Sequence, residues 1–116
     1  MTEPVKIDLF SDPACPWCLL GIARLDRALS RLPAGTEIDI EHHPFFLDAN
    51  APETGEDVYA MLQSKYGRPP DEMWDRLEAE AEKSGLTLDM RKQKMRYATQ
   101  GPQMLIRAAR SKGTQH

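Results

Sequence analysis

Residues 11–20, SDPACPWCLL, hold the change of backbone habit on which the fold turns. Upstream, Val5, Ile7 and Leu9 alternate with Lys6, Asp8 and Phe10, the period of two of a half-covered β-strand. Ser11-Asp12-Pro13 breaks that strand. Downstream of Cys15-Pro16-Trp17-Cys18, Ile22, Leu25, Leu29 and Leu32 recur every three or four residues, with Arg24, Asp26, Arg27 and Arg31 mostly off their stripe. A helix is therefore expected, ending at Pro33-Ala34-Gly35. From Glu37 to His43 the period returns to two, with Ile38 and Ile40 opposed by Glu37, Asp39 and Glu41. A row of carboxylates on one face suits a sheet margin. Strand, helix and strand with short links predict a parallel, right-handed βαβ crossover over residues 1–47.

Residues 48–116 have a different texture and are expected to form a helical block. Thr54 to Tyr66 patterns as a helix, with Val58, Met61, Leu62 and Tyr66 on one side, capping-box spacing at Thr54 and Asp57, and Gly67 as its stop. Asp71 to Ser84 is a stronger helix, with Trp74, Leu77 and Ala81 inward and Gly85 past its end. Asp89 to Ala98 is read as helical, and Pro102 to Ser111 more clearly so, with Leu105, Ala108 and Ala109 available for packing. Tyr59, Tyr66 and the methionines are expected in the core. Glu78, Glu80 and Glu82 are expected on a solvated face.

The chain has 116 residues, room for one small domain. With 15 Lys+Arg against 18 Asp+Glu it carries a formal charge of −3, and no basic surplus points to nucleic acid. No apolar run approaches the ~20 residues of a membrane helix, so no membrane partner is expected. MTEPVKIDLF shows neither a basic n-region nor an apolar h-region, which predicts a cytoplasmic location.

The two cysteines are Cys15 and Cys18. Without a secretory signal, a C-x-x-C pair reads as redox chemistry or as half of a metal site. Cys15 falls where strand gives way to helix, so its sulfur faces the free N–H groups of the first turn. Those donors and the helix dipole are expected to lower its pKa. Pro16 suits the first helical position. Cys18 stands close enough to attack a mixed disulfide at Cys15, which makes Cys15 the nucleophile and Cys18 the resolving thiol. Trp17 offers an exposed apolar surface to a substrate polypeptide. Asp12 and Lys6 are candidates to tune the thiolate or relay a proton. Zinc is the chemical rival, yet it takes four ligands and no second C-x-x-C exists. His42 and His43, adjacent on a strand, point to opposite faces and read as strand-end or packing residues. No metal is expected.

The segment SDPACPWCLLGIARLDRAL resembles the active-site region of the DsbA-like thioredoxin superfamily, in particular its cytoplasmic FrnE-like branch. The likeness continues through HHPFFLDANAPETG, YAMLQSKYG, MWDRLEAEAEKSGLTLD and TQGPQMLIRAARSKG, nearly the whole chain. It implies an α/β fold, a thioredoxin-like βαβ unit with a helical insertion, and thiol–disulfide oxidoreductase or isomerase activity. It carries the redox pair over to Cys15 and Cys18, and the dipeptide between them to Pro16 and Trp17. Where such proteins tend to read Ala-His, this chain has Pro102-Gln103. The implied partners are polypeptide or small-molecule thiols and disulfides. No cofactor is implied, glutathione entering only as a co-substrate.

The same likeness implies about twice this length. The C-terminal strands and helix, and the cis-proline loop that binds substrate backbone, lie outside these residues. Two parallel strands make a weak sheet with an open edge. The expectation is a truncated form, or a homodimer that completes the sheet. Two other readings stand beside the dithiol enzyme: a non-catalytic interaction protein, and a glutathione-binding enzyme like the kappa-class transferases and related isomerases. Those enzymes usually lack the second thiol, so both cysteines favour disulfide chemistry.

Overall fold

A computed structural model describes residues 3–116. Strand β1 (Val5–Ser11) pairs in parallel with β2 (Ile38–Pro44), register Val5 to Ile38 through Ser11 to Pro44. Helix α1 (Pro16–Leu29) crosses between them. The expected βαβ unit is therefore present, each strand running to one residue beyond its expected C-terminal end. The helix stops earlier than its stripe suggests: Ser30 caps it, its fully buried residue is Leu20, and Leu32 lies outside and exposed.

Helix α2 (Val58–Tyr66) is capped by Asp57, whose side chain accepts the Ala60 N–H at 2.8 Å. The expected helix from Thr54 therefore begins later. A carboxylate that satisfies an orphan first-turn N–H fixes the start better than the Thr54 spacing does. Glu56–Asp57 (β3) instead pairs antiparallel with Met95–Arg96 (β4), a short ribbon inside the block expected to be helical. Residues 89–98 are thus not a helix but a 3₁₀ turn at Met90–Lys92 followed by that strand. Gly55, with φ of 89°, lets the ribbon close, since a Cβ there would lie 2.5 Å from the Tyr97 ring. Helix α3 (Asp71–Lys83) ends as expected on Gly85, with φ of 75°. The Leu86 N–H donates to Ala81 O at 2.9 Å, the long bond of a Schellman motif.

The core joins the two parts of the chain. Leu20 of α1 packs with Val58, Trp74, Leu77, Ala81 and Met90. Burial there is what fixes α1 against α2 and α3. Polar contacts reinforce the joint: Arg24 donates to Ser84 Oγ and to Glu80, both at 2.9 Å. Two of the glutamates expected to be solvated are therefore engaged, Glu80 by Arg24 and Lys83, and Glu78 by the Met90 N–H. Tyr59 and Tyr66, expected inside, are exposed, as are Met95 and Met104. The radius of gyration is 16.5 Å, above the ~13 Å of a compact chain this long, as suits a sheet and a helical block side by side.

Helix α4 (Gln100–Ala109) packs against β2. It presents Gln103 inward, only 5% exposed, while Leu105 is 74% exposed. Of the stripe expected to pack, Leu105 and Ala108 face outward and Ala109 is half-buried, while the Gln103 side chain turns to the strand ends. Among the described residues no helix is long and apolar enough to cross a membrane.

Candidate functional site

Cys15 is the N-cap of α1, with extended backbone at φ −96° and ψ 110°, and Pro16 follows at the first helical position. The Cys18 N–H donates to Cys15 Sγ at 3.3 Å. Both cysteines are free and partly buried. The helix start thus places the two residues as the sequence predicts, one turn apart, with a backbone amide aimed at the first sulfur.

The electrostatic balance differs from the expectation. Burial pushes the Cys15 thiol up to about 11, and the neighbouring Cys18 thiol pushes the same way. The backbone N–H groups of Cys18 and Trp17 pull it down, but less strongly. Desolvation penalises a thiolate more than two amide donors reward it. That balance favours the thiol form of Cys15 over its thiolate.

The turn that carries Cys15 is held by buried polar groups. Asp12, 4% exposed, accepts the Ala14 N–H on one carboxylate oxygen and the Leu47 N–H on the other, each at 3.0 Å. Its carbonyl accepts the Cys15 N–H at 2.9 Å. Asp12 thereby ties the turn before Cys15 to the loop after β2. Gln103 Nε2 donates to Ser11 O at 2.8 Å and to Phe45 O at 3.4 Å, bridging the two strand ends. Sequence reasoning passed over this role for Gln103, because nothing local marks a glutamine whose partner lies 92 residues away.

Beside Cys15 opens a groove of about 260 Å³. Cys15, Pro16 and Trp17 form one wall, and Met61, Tyr66 and Met73 line the other. Trp17 is 46% exposed at its mouth. Lys65 and Arg96 also line the groove, and Arg96 is bound by Asp48 at 2.8 Å and by Glu56.

Other candidates sit elsewhere. Lys6 pairs with Glu41 at 2.6 Å and with Asp39 at 3.6 Å on the open face of the sheet. His43 joins that face, 2.7 Å from Asp8 and stacked on Phe10. His42 points the other way, to His116 at 2.8 Å, which in turn meets Asp26 at 2.6 Å. The opposite orientations match the expectation from strand alternation. Asp8, Glu41 and His43 bring ligand atoms within 4.8 Å of one another, and the Lys6 ammonium already neutralises Glu41 there.

A dithiol opening the first helix of a parallel βαβ unit, with a helical insertion walling an apolar groove, defines a thioredoxin-like α/β fold. The sequence profile of the DsbA-like thioredoxin domain matches residues 6–116, and the chain belongs to that family. A probable DsbA oxidoreductase from Streptomyces coelicolor, known from its crystal structure, is similar at 30% identity with a TM-score of 0.82. The match covers 95% of this chain and 48% of that one, so the chain spans about half the length of this solved relative. No match is found among curated proteins.

Proposed function

We propose that this chain carries out thiol–disulfide exchange, as an oxidoreductase or isomerase of the FrnE-like branch, acting on polypeptide cysteines flanked by apolar residues. The observation that carries the reading is the Cys15 sulfur at the helix N-cap, 3.3 Å from the Cys18 N–H and bordering an apolar groove. In the reducing direction Cys15, deprotonated on attack, forms a bond to one sulfur of a substrate disulfide. The substrate S–S bond breaks, and its second sulfur leaves as a thiolate that takes up a proton. Cys18 then loses its proton and attacks Cys15, expelling the first substrate sulfur as a thiol. The products are a Cys15–Cys18 disulfide and a reduced substrate, and the reverse sequence oxidises. The amides of Cys18 and Trp17 stabilise the thiolate when it forms. The groove desolvates the mixed disulfide and suits apolar flanking side chains, including through sulfur–aromatic and methionine contacts.

Turnover of insulin with dithiothreitol as electron donor tests this. The wild-type chain should accelerate precipitation of the reduced insulin chains, and Cys15→Ser should not. Equal rates for the two proteins would sink the reading. A cytoplasmic location fits a dithiol kept reduced by its surroundings.

A further inference from the structure

The groove beside Cys15 carries charge of one sign. Its lining includes Lys65 and Arg96 and, among the described residues, no carboxylate. Helix α1 adds to this from the opposite wall, because its first turn holds no acidic side chain and its N-terminal end is positive. The two cations are not equivalent. The Arg96 side chain is 11% exposed and is already held by Asp48 at 2.8 Å and by Glu56. Lys65 is exposed, with its ammonium 5.4 Å from the centre of the half-exposed Tyr66 ring. It also borders an adjoining hollow whose carboxylates are engaged elsewhere, Asp48 and Glu56 by Arg96 and Asp57 by the Ala60 N–H at 2.8 Å. Lys65 stands one turn beyond Met61 on the face of α2 that walls the groove. A substrate segment with an apolar side chain against Met61 therefore brings its next residues past the ammonium.

We infer that the groove selects disulfides in polypeptide segments that carry an aspartate or glutamate within a few residues of the reacting cysteine, with Lys65 pairing to that carboxylate. The inference rests on the thiol–disulfide reading of Cys15 and adds to it the charge of the preferred substrate. Burial, the Cys18 thiol and the amides of Cys18 and Trp17 set the state of the Cys15 sulfur. Lys65 therefore acts on the incoming substrate and not on the nucleophile. The chain as a whole, at a formal charge of −3, would by itself draw basic substrates. A preference for acidic ones is the mark of the groove.

Competition among three peptide disulfides tests it, identical except for glutamate, glutamine or lysine two residues to either side of the cysteine. They are offered in equal amounts to the Cys18→Ser protein, and mass spectrometry counts the early mixed disulfides at Cys15. Each rate is divided by that of the same peptide with 2-mercaptoethanol, which removes differences in intrinsic reactivity. The glutamate peptide should lead the glutamine peptide by about threefold, the size of a solvent-exposed ion pair, and the lysine peptide should trail both. The lead should shrink as salt is raised. In the same background Lys65→Gln should abolish the preference and Lys65→Glu should invert it. Lys112→Glu makes the same change of net charge at an exposed position outside the groove and should leave the ratios unchanged. Equal normalised rates for the three peptides, or a glutamate preference that survives Lys65→Glu, overturn the inference and leave the redox reading standing. No adduct with any peptide removes the redox reading, and the inference with it.

Discussion

Replacing Asp12 with alanine should cost this chain a large share of its stability, and the size of the loss follows from the geometry. Each carboxylate oxygen accepts one backbone N–H at 3.0 Å, from Ala14 and from Leu47, and the residue is 4% exposed. Hydrogen bonds to a charged group contribute about 1.5–3 kcal/mol each, and an orphaned buried donor costs about 1–3 kcal/mol. The two bonds share one acceptor group and are not additive, so about 3–4 kcal/mol is expected for Asp12→Ala. A domain of this size is stable by roughly 6–15 kcal/mol in total. With a urea m-value of about 1.5–2 kcal/mol per molar, the midpoint should fall by roughly 2 M. Asp12→Asn is the sharper variant. Its single carbonyl oxygen can serve one N–H, while its amide group faces the other, so it should lose at least half as much. Urea melts followed by circular dichroism at constant pH give both values. An Asp12→Asn protein within about 0.5 kcal/mol of wild type, the ordinary surface range, would refute the reasoning that both oxygens anchor the turn.

Further outcomes follow from three other groups. Alkylation of Cys15 should keep accelerating above pH 9, because burial holds its thiol up to about 11, and Cys18→Ala should shift the profile to lower pH by removing the neighbouring thiol; a plateau below pH 8 in the wild type counts against this. Because the folded Cys15 thiol ionises later than the unfolded one, stability should decline as pH rises from about 9 toward 11, the window between the two values. Burial and the adjacent His116 lower the pKa of His42, so its neutral form belongs to the fold. Stability should therefore fall as pH drops below about 6.5, and a His42→Phe variant should show a flatter decline in melts between pH 7 and 5. Gln103→Ala should free the carbonyls of Ser11 and Phe45, cost about 1–2 kcal/mol, and speed hydrogen exchange at Phe45; unchanged exchange would argue that the amide does not hold the strand ends.

The parts of the fold legible in the sequence are those set by neighbours in the chain. The period of two in β1 and β2, the helix that opens at Cys15, and the Gly85 stop all depend on contacts within a few residues. The same locality made Trp74, Leu77 and Ala81 readable as core, and they are. What escaped was set by distant partners. Gln103 turned inward because two carbonyls at the sheet end needed a donor, and that turned Leu105 and Met104 out. Residues 89–98 had enough helix formers to pattern as a helix, yet pairing Met95–Arg96 with Glu56–Asp57 drew them into a ribbon. The Cys15 position was readable, but the direction of its pKa was not. The helix start is local, whereas the burial that outweighs it comes from residues brought near only by the folded insertion. Asp12 was readable as a group beside the cysteines, but its hold on the Leu47 N–H, 35 residues away, was not.

In the proposed mechanism Cys15 attacks and Cys18 resolves. Mass spectrometry of each single variant, after incubation with a peptide disulfide flanked by apolar residues, measures that division of labour most directly. Cys18→Ser should accumulate a mixed disulfide through Cys15 that persists, while Cys15→Ser should accumulate little. Equal adducts at the two cysteines, or none at either, would contradict it.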